Sequence, residues 1–316
     1  MKDVVAVGEL LIDFTENGIS EQGNKLFEAN PGGAPCNVLA MLQKLGRSTA
    51  FIGKVGDDAF GHMLQRTVRE LGIDVSDLTF DQKIPTTLAF VQTAPDGDRD
   101  FSFYRKPGAD MMLRKTDINT ALVKDTKIMH FGTLSMTDAF CAEATQYAIA
   151  AAKENGALIS FDPNLRKPLW DDLQDAKEKM LWGIAHCDIL KISDDEVTFL
   201  TGEADVEQGV RQLLSAYHTP FVCATMGKNG SKAFFDGNCI QAEPFLLANT
   251  IETTGAGDTF CACMLHDILN NGIENRSKES VYQMLRFANA GAALITTRRG
   301  ALRVMPTAKE IRGLIG

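Results

Sequence analysis

The chain has 316 residues, 45% of them hydrophobic and 23% charged, ordinary proportions for a globular protein with one large core or two modest ones. A net charge of −9 argues against a general binder of nucleic acid or anionic membrane, so any phosphate ligand must be met by local amides and a few basic side chains. No apolar run reaches the length of a membrane span, and the seven cysteines, an odd number without a CxxC pair, point to reduced thiols rather than a disulfide framework or a zinc site.

The first strand is expected over residues 4–7, followed by Gly8 and Glu9. The N-terminus shows neither the apolar segment nor the cleavage site of a secretory leader, which predicts a cytoplasmic protein. Asp13 sits among apolar residues at 10–15, either as a turn residue or as a carboxylate aimed into a polar pocket. Asn30, Pro31, Gly32, Gly33, Ala34 and Pro35 form a tight loop feeding a helix over 36–45, ended by Gly46. The paired glycines ahead of Asn37 are either a turn and a cap or a place where backbone closes against a ligand. A strand at 51–55 and a helix over 59–71 follow. Two β-type runs, 86–91 and 101–104, are joined through Pro95, Asp96, Gly97 and Asp98, a hairpin signal. So small a sheet cannot stand alone and must cover a site or a partner subunit. Arg105, directly after it, is either an exposed cation or reaches into the covered site.

From residue 128 strands and helices alternate regularly. Strands are expected over 128–131, 157–161, 188–192 and 221–224, and helices over 139–154, 171–185, 194–200 and 206–217. That order implies a parallel sheet between helix layers, with ligands gathering at the strands' C-terminal ends. Polar residues recur there: Glu9, then Asp162 with Asn164 and Arg166, then Ser193 to Glu196, then Thr225 to Gly230. A long helix over 280–295 leads into a polar loop carrying Arg298 and Arg299.

One stretch organises the rest. Thr254, Gly255, Ala256, Gly257 and Asp258 precede apolar residues at helical spacing, Phe260, Met264, Leu265, Ile268 and Leu269. They read as the first turn of a helix, where amides lack intrahelical partners and the helix dipole is positive. Small side chains let an anion approach those amides. Asp258 is then either a capping residue or a base that takes a proton from an attacking hydroxyl while the amides hold a phosphoryl group in transfer. The chain has no P-loop, no Gly-x-Gly-x-x-Gly after its first strand and no Gly-x-Ser-x-Gly elbow. His62, His130, His186, His218 and His266 show no metal or triad spacing and are read as structural.

The run from Gly32 to Asn37, with Gly46 and Gly56 at the proper intervals, resembles the N-terminal motif of the ribokinase-like (PfkB) sugar kinases. Thr254 to Asp258 resembles their C-terminal motif, and the similarity spans essentially the whole chain. Within the family, the runs 101–110, 162–166 and 191–196 look most like bacterial and plant fructokinases. The resemblance implies an α/β fold, a ribokinase-like three-layer α/β/α sandwich with a mainly parallel sheet. It implies one domain over 1–316 and a small β-sheet lid inserted at about 12–30 and 84–107.

Carried onto this sequence, the resemblance makes Asp258 the base and Gly255, Ala256 and Gly257 the anion hole. Asp13, Gly32, Gly33, Asn37, Phe103, Arg105 and Arg166 become sugar-site residues. Asn164, Lys191, Ser193, Thr225, Gly227, Lys228, Gly230, Gly257 and Asn289 fall to the nucleotide. Glu196 would organise water around Mg²⁺, and Glu252, Thr254, Ile295, Arg298 and Gly300 match a monovalent-cation loop for K⁺. The expected cosubstrate is ATP, the partner a small-molecule sugar, and the assembly a homodimer through the lid, with no nucleic acid and no membrane. Departures from the family pattern are Leu39 and Cys263, where small residues are usual, Glu252, where Asp is commoner, and Ser193, where ribokinases carry Asn. The reading is a fructokinase; a 2-keto-3-deoxygluconate or ribose kinase, or a catalytically silent scaffold, are its alternatives.

Overall fold

The computed structural model describes residues 1–93 and 99–316. The expected turn at Pro95, Asp96, Gly97 and Asp98 lies outside the described residues. Thirteen strands and ten helices follow one another among the described residues. The strands are β1 (Lys2–Val7), β2 (Leu11–Ile19), β3 (Lys25–Gly32), β4 (Thr49–Gly56), β5 (Asp74–Asp81), β6 (Leu88–Thr93), β7 (Arg99–Tyr104), β8 (Thr126–Phe131), β9 (Leu158–Phe161), β10 (Ile189–Ser193), β11 (Phe221–Thr225), β12 (Ser231–Phe235) and β13 (Asn238–Ala242). The helices are α1 (Ala34–Lys44), α2 (Ala59–Glu70), α3 (Thr120–Lys124), α4 (Ala139–Glu154), α5 (Leu173–His186), α6 (Asp194–Thr201), α7 (Val206–Tyr217), α8 (Ala256–Asn271), α9 (Lys278–Ile295) and α10 (Ala308–Ile315).

Nine strands form one sheet in the order β13-β12-β11-β10-β9-β8-β1-β4-β5. Neighbours from β11 through to β5 run parallel, and β12 and β13 close one edge antiparallel. Both faces are covered, so the strands are apolar on both sides rather than alternating polar and apolar. Val4 and Ala6 pack into one layer with α1, α8, α9 and α10, while Val5 and Val7 pack into the other with α4 to α7. The chain leaves β1 toward β4 and later returns on its other side with β8, which opens a crevice at the strand tips where a ligand fits.

The second sheet has four strands, β3-β2-β6-β7, with β2 and β6 parallel and the outer pairs antiparallel. Phe14 and Phe90 stack on one face at 4.8 Å, and Phe27 and Tyr104 meet Phe90 edge-on at 5.5 Å.

Sequence expectation and structure differ in instructive places. α1 starts two residues earlier than periodicity implied, because Pro35 fits the first turn, where its missing N–H has no partner to lose. β5 and the β12–β13 hairpin had no counterpart in the sequence reading. β5 and β13 are the edge strands, whose half-exposed residues carry a weak hydrophobic signal, while β12 is a short buried run beside one edge.

Candidate active site

Two helices point their N-termini at the crevice. α8 begins after Gly255, which sits at φ 77°, a left-handed conformation that glycine adopts without strain. No side chain caps this end; the Ala256 amide donates to the Thr253 carbonyl at 3.2 Å, and the amide of Gly257 beside it faces both cavities. Asp258 lies in that first turn and is not the cap; its carboxyl is buried, with 8% exposure. From the start of α1, Asn37 Nδ2 donates to Asp258 Oδ2 at 2.8 Å. Asn37 Oδ1 is buried and has no hydrogen-bond partner in the protein, an acceptor left for a hydroxyl.

Burial pushes the Asp258 carboxyl up to about 6. Asp162 adds to the rise, while the Asn37 hydrogen bond and the charges of Lys191 and Arg166 oppose it. A carboxyl so placed is ionised at neutral pH yet basic enough to take a proton. Lys191 forms a buried ion pair with Asp162 at 3.1 Å. Burial opposes its charge, but Asp162 and Glu196 outweigh it and hold the ammonium above its ordinary pKa. Its Nζ lies 3.0 Å from where a Cβ on Gly257 would stand, directly under the α8 terminus.

Two cavities meet at this point. One, of about 370 Å³, is lined by Asp13, Gly33, Asn37, Phe103, Asn164, Arg166, Lys191, Thr254, Gly255 and Asp258. The other, of about 420 Å³, is lined by Thr225, Gly227, Lys228, Gly230, Ala256 and Asn289, with an apolar wall of Pro244, Phe245, Leu246 and Phe260. Thr253 and Gly257 line both, so the start of α8 is the partition between them. Gly32 stands just outside, its Cα so close to Asp13 that an added Cβ would lie 2.1 Å from Oδ2. Asn289 braces the second cavity: Ser231 Oγ donates to its Oδ1, and its Nδ2 donates to the carbonyls of Ala242 and Glu243.

Several expected site residues are turned elsewhere. Arg105 lines neither of these cavities. Its guanidinium pairs with Asp110 at 2.7 Å and donates to Thr137 and the Leu134 carbonyl, and it faces a separate cavity of about 680 Å³ that shares only Phe103 with the first one. Burial opposes its charge, but Asp110 holds the guanidinium above its ordinary pKa. Ser193 caps α6, accepting from the Glu196 amide, and lines neither cavity. Glu196 likewise stands behind the site. Its Oε1 accepts from the Leu165 amide at 2.8 Å and its Oε2 from the Ser193 amide at 2.9 Å, which fixes the 162–166 loop.

Among the described residues no group of three His, Cys, Asp or Glu could hold a metal. Mg²⁺ needs no such cluster, since it commonly keeps several waters and binds through nucleotide phosphates. In the expected cation loop, Glu252 Oε1 accepts from the Gly300 amide at 2.9 Å and the Thr296 carbonyl accepts from the amides of Ile251 and Glu252. The Ile295 carbonyl accepts from the Arg298 amide, and the Arg298 guanidinium reaches the Val304 carbonyl and Glu310. The two loops are thus stitched together behind Thr254. Glu9, Asp162 and Thr253 complete the site without having been assigned a role from sequence; position after a strand was the only available signal, and it did pick out Glu9 and Asp162.

The fold has close counterparts. Fructokinase-1 of Zea mays is 38% identical over 314 residues, covering 99% of this chain and 97% of that one. Fructokinase with bound ATP from Xylella fastidiosa superposes with a TM-score of 0.90 at 31% identity, over 100% of this chain and 98% of that one. A fructokinase double mutant from Vibrio cholerae O395, in a form with fructose, ADP and potassium ion bound, gives a TM-score of 0.88 at 28% identity, over 100% and 99%. The three-layer sheet with its small second sheet is the ribokinase-like fold. Residues 1–308 match the pfkB family carbohydrate kinase, and the chain belongs to that family of sugar-phosphorylating enzymes.

Proposed function

We propose that the protein is a fructokinase, transferring the γ-phosphoryl group of ATP to D-fructose to give fructose 6-phosphate and ADP. The observation that carries this reading is the meeting of two cavities at the α8 N-terminus, with Asp258 on the sugar side. The ketose lies against Asp13, Gly33 and Asn37, whose free Oδ1 accepts a hydroxyl. Adenine enters the apolar slot by Phe245 and Phe260, and its phosphates run along Thr225, Gly227, Lys228 and Gly230 toward Gly257.

Asp258 takes the proton of the 6-hydroxyl as that oxygen attacks phosphorus. The amides of Gly255 and Gly257 and the Lys191 ammonium meet the charge on the transferring oxygens, and the Ala256 amide joins them if it leaves the Thr253 carbonyl. Arg166 adds a second cation on the sugar side. Magnesium, when carried in by the nucleotide, would add neutralisation of the phosphates. Glu196 holds the 162–166 loop through two amides and keeps acceptor capacity on both oxygens for water around Mg²⁺. Potassium behind Thr254 would steady the loops carrying Glu252, Ile295, Arg298 and Gly300; a potassium ion is bound in the Vibrio fructokinase.

The small sheet acts as a lid over residues 12–30 and 84–107 of a single domain, contributing Asp13 and Phe103 to the sugar cavity. Its exposed Ile19, Leu26, Phe27 and Tyr104 favour a homodimer through the lid. No described helix is long and apolar enough to cross a membrane, and a cytoplasmic location is part of this reading.

A coupled assay with MgATP across fructose, 2-keto-3-deoxygluconate, ribose and nucleosides tests the assignment. Highest kcat/KM on fructose supports it; preference for the keto-acid or for ribose reassigns the sugar, and background rates with all of them overturn the kinase reading.

A further inference from the structure

Glu9 is a buried carboxyl at the site that the mechanism leaves unused. It stands two residues after β1, is 4% exposed, and lines the sugar cavity. It also lines a small inner chamber shared with His130, Asp162, Asn164 and Asp258. Its Oε1 accepts from the Ala34 amide at 2.9 Å, one of the unpartnered donors at the start of α1. Its backbone is fitted as closely: a Cβ on Gly33, which has φ 126°, would lie 2.5 Å from the Glu9 carbonyl oxygen. Glu9 therefore holds in place the turn from which Asn37 reaches Asp258.

A buried carboxyl is unfavourable unless something uses it. A simpler anchor for the Ala34 amide, such as Ser or Asn, would avoid the desolvation. Burial pushes Glu9 up to about 7, with Asp110 adding to the rise and the Ala34 amide and Arg105 opposing it. The other titratable groups around it are Cys36 from α1, His130 from β8, Asp162 after β9 and Asp258 from α8. Burial drives His130 down to about 3 and holds it neutral, so it brings no countercharge into the chamber.

We propose that Glu9 is a sugar-positioning residue, anchoring the first turn of α1 through Ala34 and accepting a hydroxyl of the bound sugar beside Asp258. The inference rests on the sugar-kinase reading and adds a second carboxylate to it. Its ligand class is a polyhydroxylated sugar, recognised by a donated O–H, and its effect falls on the sugar rather than on the nucleotide.

The test compares the full-length protein with Glu9→Gln, which keeps an acceptor for the Ala34 amide, and Glu9→Asp, which keeps the charge on a shorter stem. Kinetics with varied sugar and varied ATP, calorimetric sugar binding without nucleotide, and the pH profile of kcat/KM are read side by side. Glu9→Gln should weaken sugar affinity roughly 10- to 100-fold while leaving the KM for ATP within about twofold. It should also remove an ionisation near pH 7 from the acid limb and keep the one near 6, and Glu9→Asp should restore part of the sugar affinity. Unchanged sugar affinity and acid limb in Glu9→Gln would overturn the proposal. So would a parallel loss of sugar and ATP affinity with a lower melting temperature, the pattern of a purely structural residue. If the wild type prefers another sugar, the comparison is made with that sugar and only the fructose assignment falls. A wild type silent on every sugar ends the kinase reading and this proposal together.

Discussion

Asn37 and Asp258 are 221 residues apart in the chain and joined by a 2.8 Å hydrogen bond between their side chains. The bond ties the start of α1 to the start of α8, so one contact fixes the sugar-side turn against the phosphoryl-side turn. Asn37 spends its donor on the carboxylate and keeps its oxygen for a ligand. An amide suits that division of labour, since it carries a donor and an acceptor and adds no charge beside the base.

Asp258→Asn should lower kcat by ~10²–10⁴-fold, the usual contribution of a positioned base. The same change should leave the fold intact and raise the melting temperature above pH 7. The native carboxyl, pushed up to about 6 by burial, is ionised there at a cost that the unfolded chain does not bear. Coupled-assay turnover and thermal melts at pH 5 and 8 check both halves; near-normal turnover removes Asp258 from its role.

The pH dependence follows with its sign. Activity needs ionised Asp258, so kcat/KM for the sugar should fall as pH drops through about 6. Stability should run the other way. Both Asp258 and Glu9 bind protons more tightly in the native state, so native stability declines as pH rises from about 4 toward about 7. Denaturant melts across that range measure the decline, and Glu9→Gln and Asp258→Asn should each flatten it.

Asn37→Ala deletes the hydrogen bond that holds the Asp258 pKa down. The acid limb of kcat/KM should therefore move to higher pH, and sugar affinity should fall with loss of the Oδ1 acceptor. A limb that stays in place would show that the bond does not reach the working enzyme.

Gly32→Ala places a methyl 2.1 Å from Asp13 Oδ2, so the carboxylate must swing away from the sugar cavity. The KM for the sugar should rise roughly tenfold or more, about 1.4 kcal/mol, with little change for ATP. Equal losses toward both substrates would point to a collapsed fold instead.

Leu26→Glu charges an exposed position on the lid. Surface changes of this kind alter monomer stability by only about 0.5 kcal/mol. Sedimentation velocity should show the wild type as a dimer and this variant as a monomer. A monomeric wild type, or a variant that stays dimeric, would remove the lid from the interface.

Much of this molecule can be read along the chain. The alternation from residue 128 onward marks α4 and α7 at their observed bounds, because buried strands and amphipathic helices write their periods locally. Gly255 to Asp258 announces an uncapped helix start for the same reason: small residues ahead of an apolar face are a local pattern. Edge strands such as β5 and β13 were illegible, since their stability comes from neighbours rather than from their own residues. Arg105 shows the sharper limit. Its place after a lid strand suggests a reach into the sugar site, but the Asp110 carboxylate five residues later captures it, and only packing could decide between them.

By itself, then, the sequence determined the layered α/β architecture, the family and the acid at the glycine-lined turn, all of which rest on residues adjacent in the chain. Tertiary structure alone decided that Asn37 orients that acid, that Lys191 and Asp162 lie beneath it, and that Glu9 joins it in one chamber. Those groups come from separate strand tips and helix starts. Their distances, burial and shifted proton affinities exist only once the sheet has gathered them.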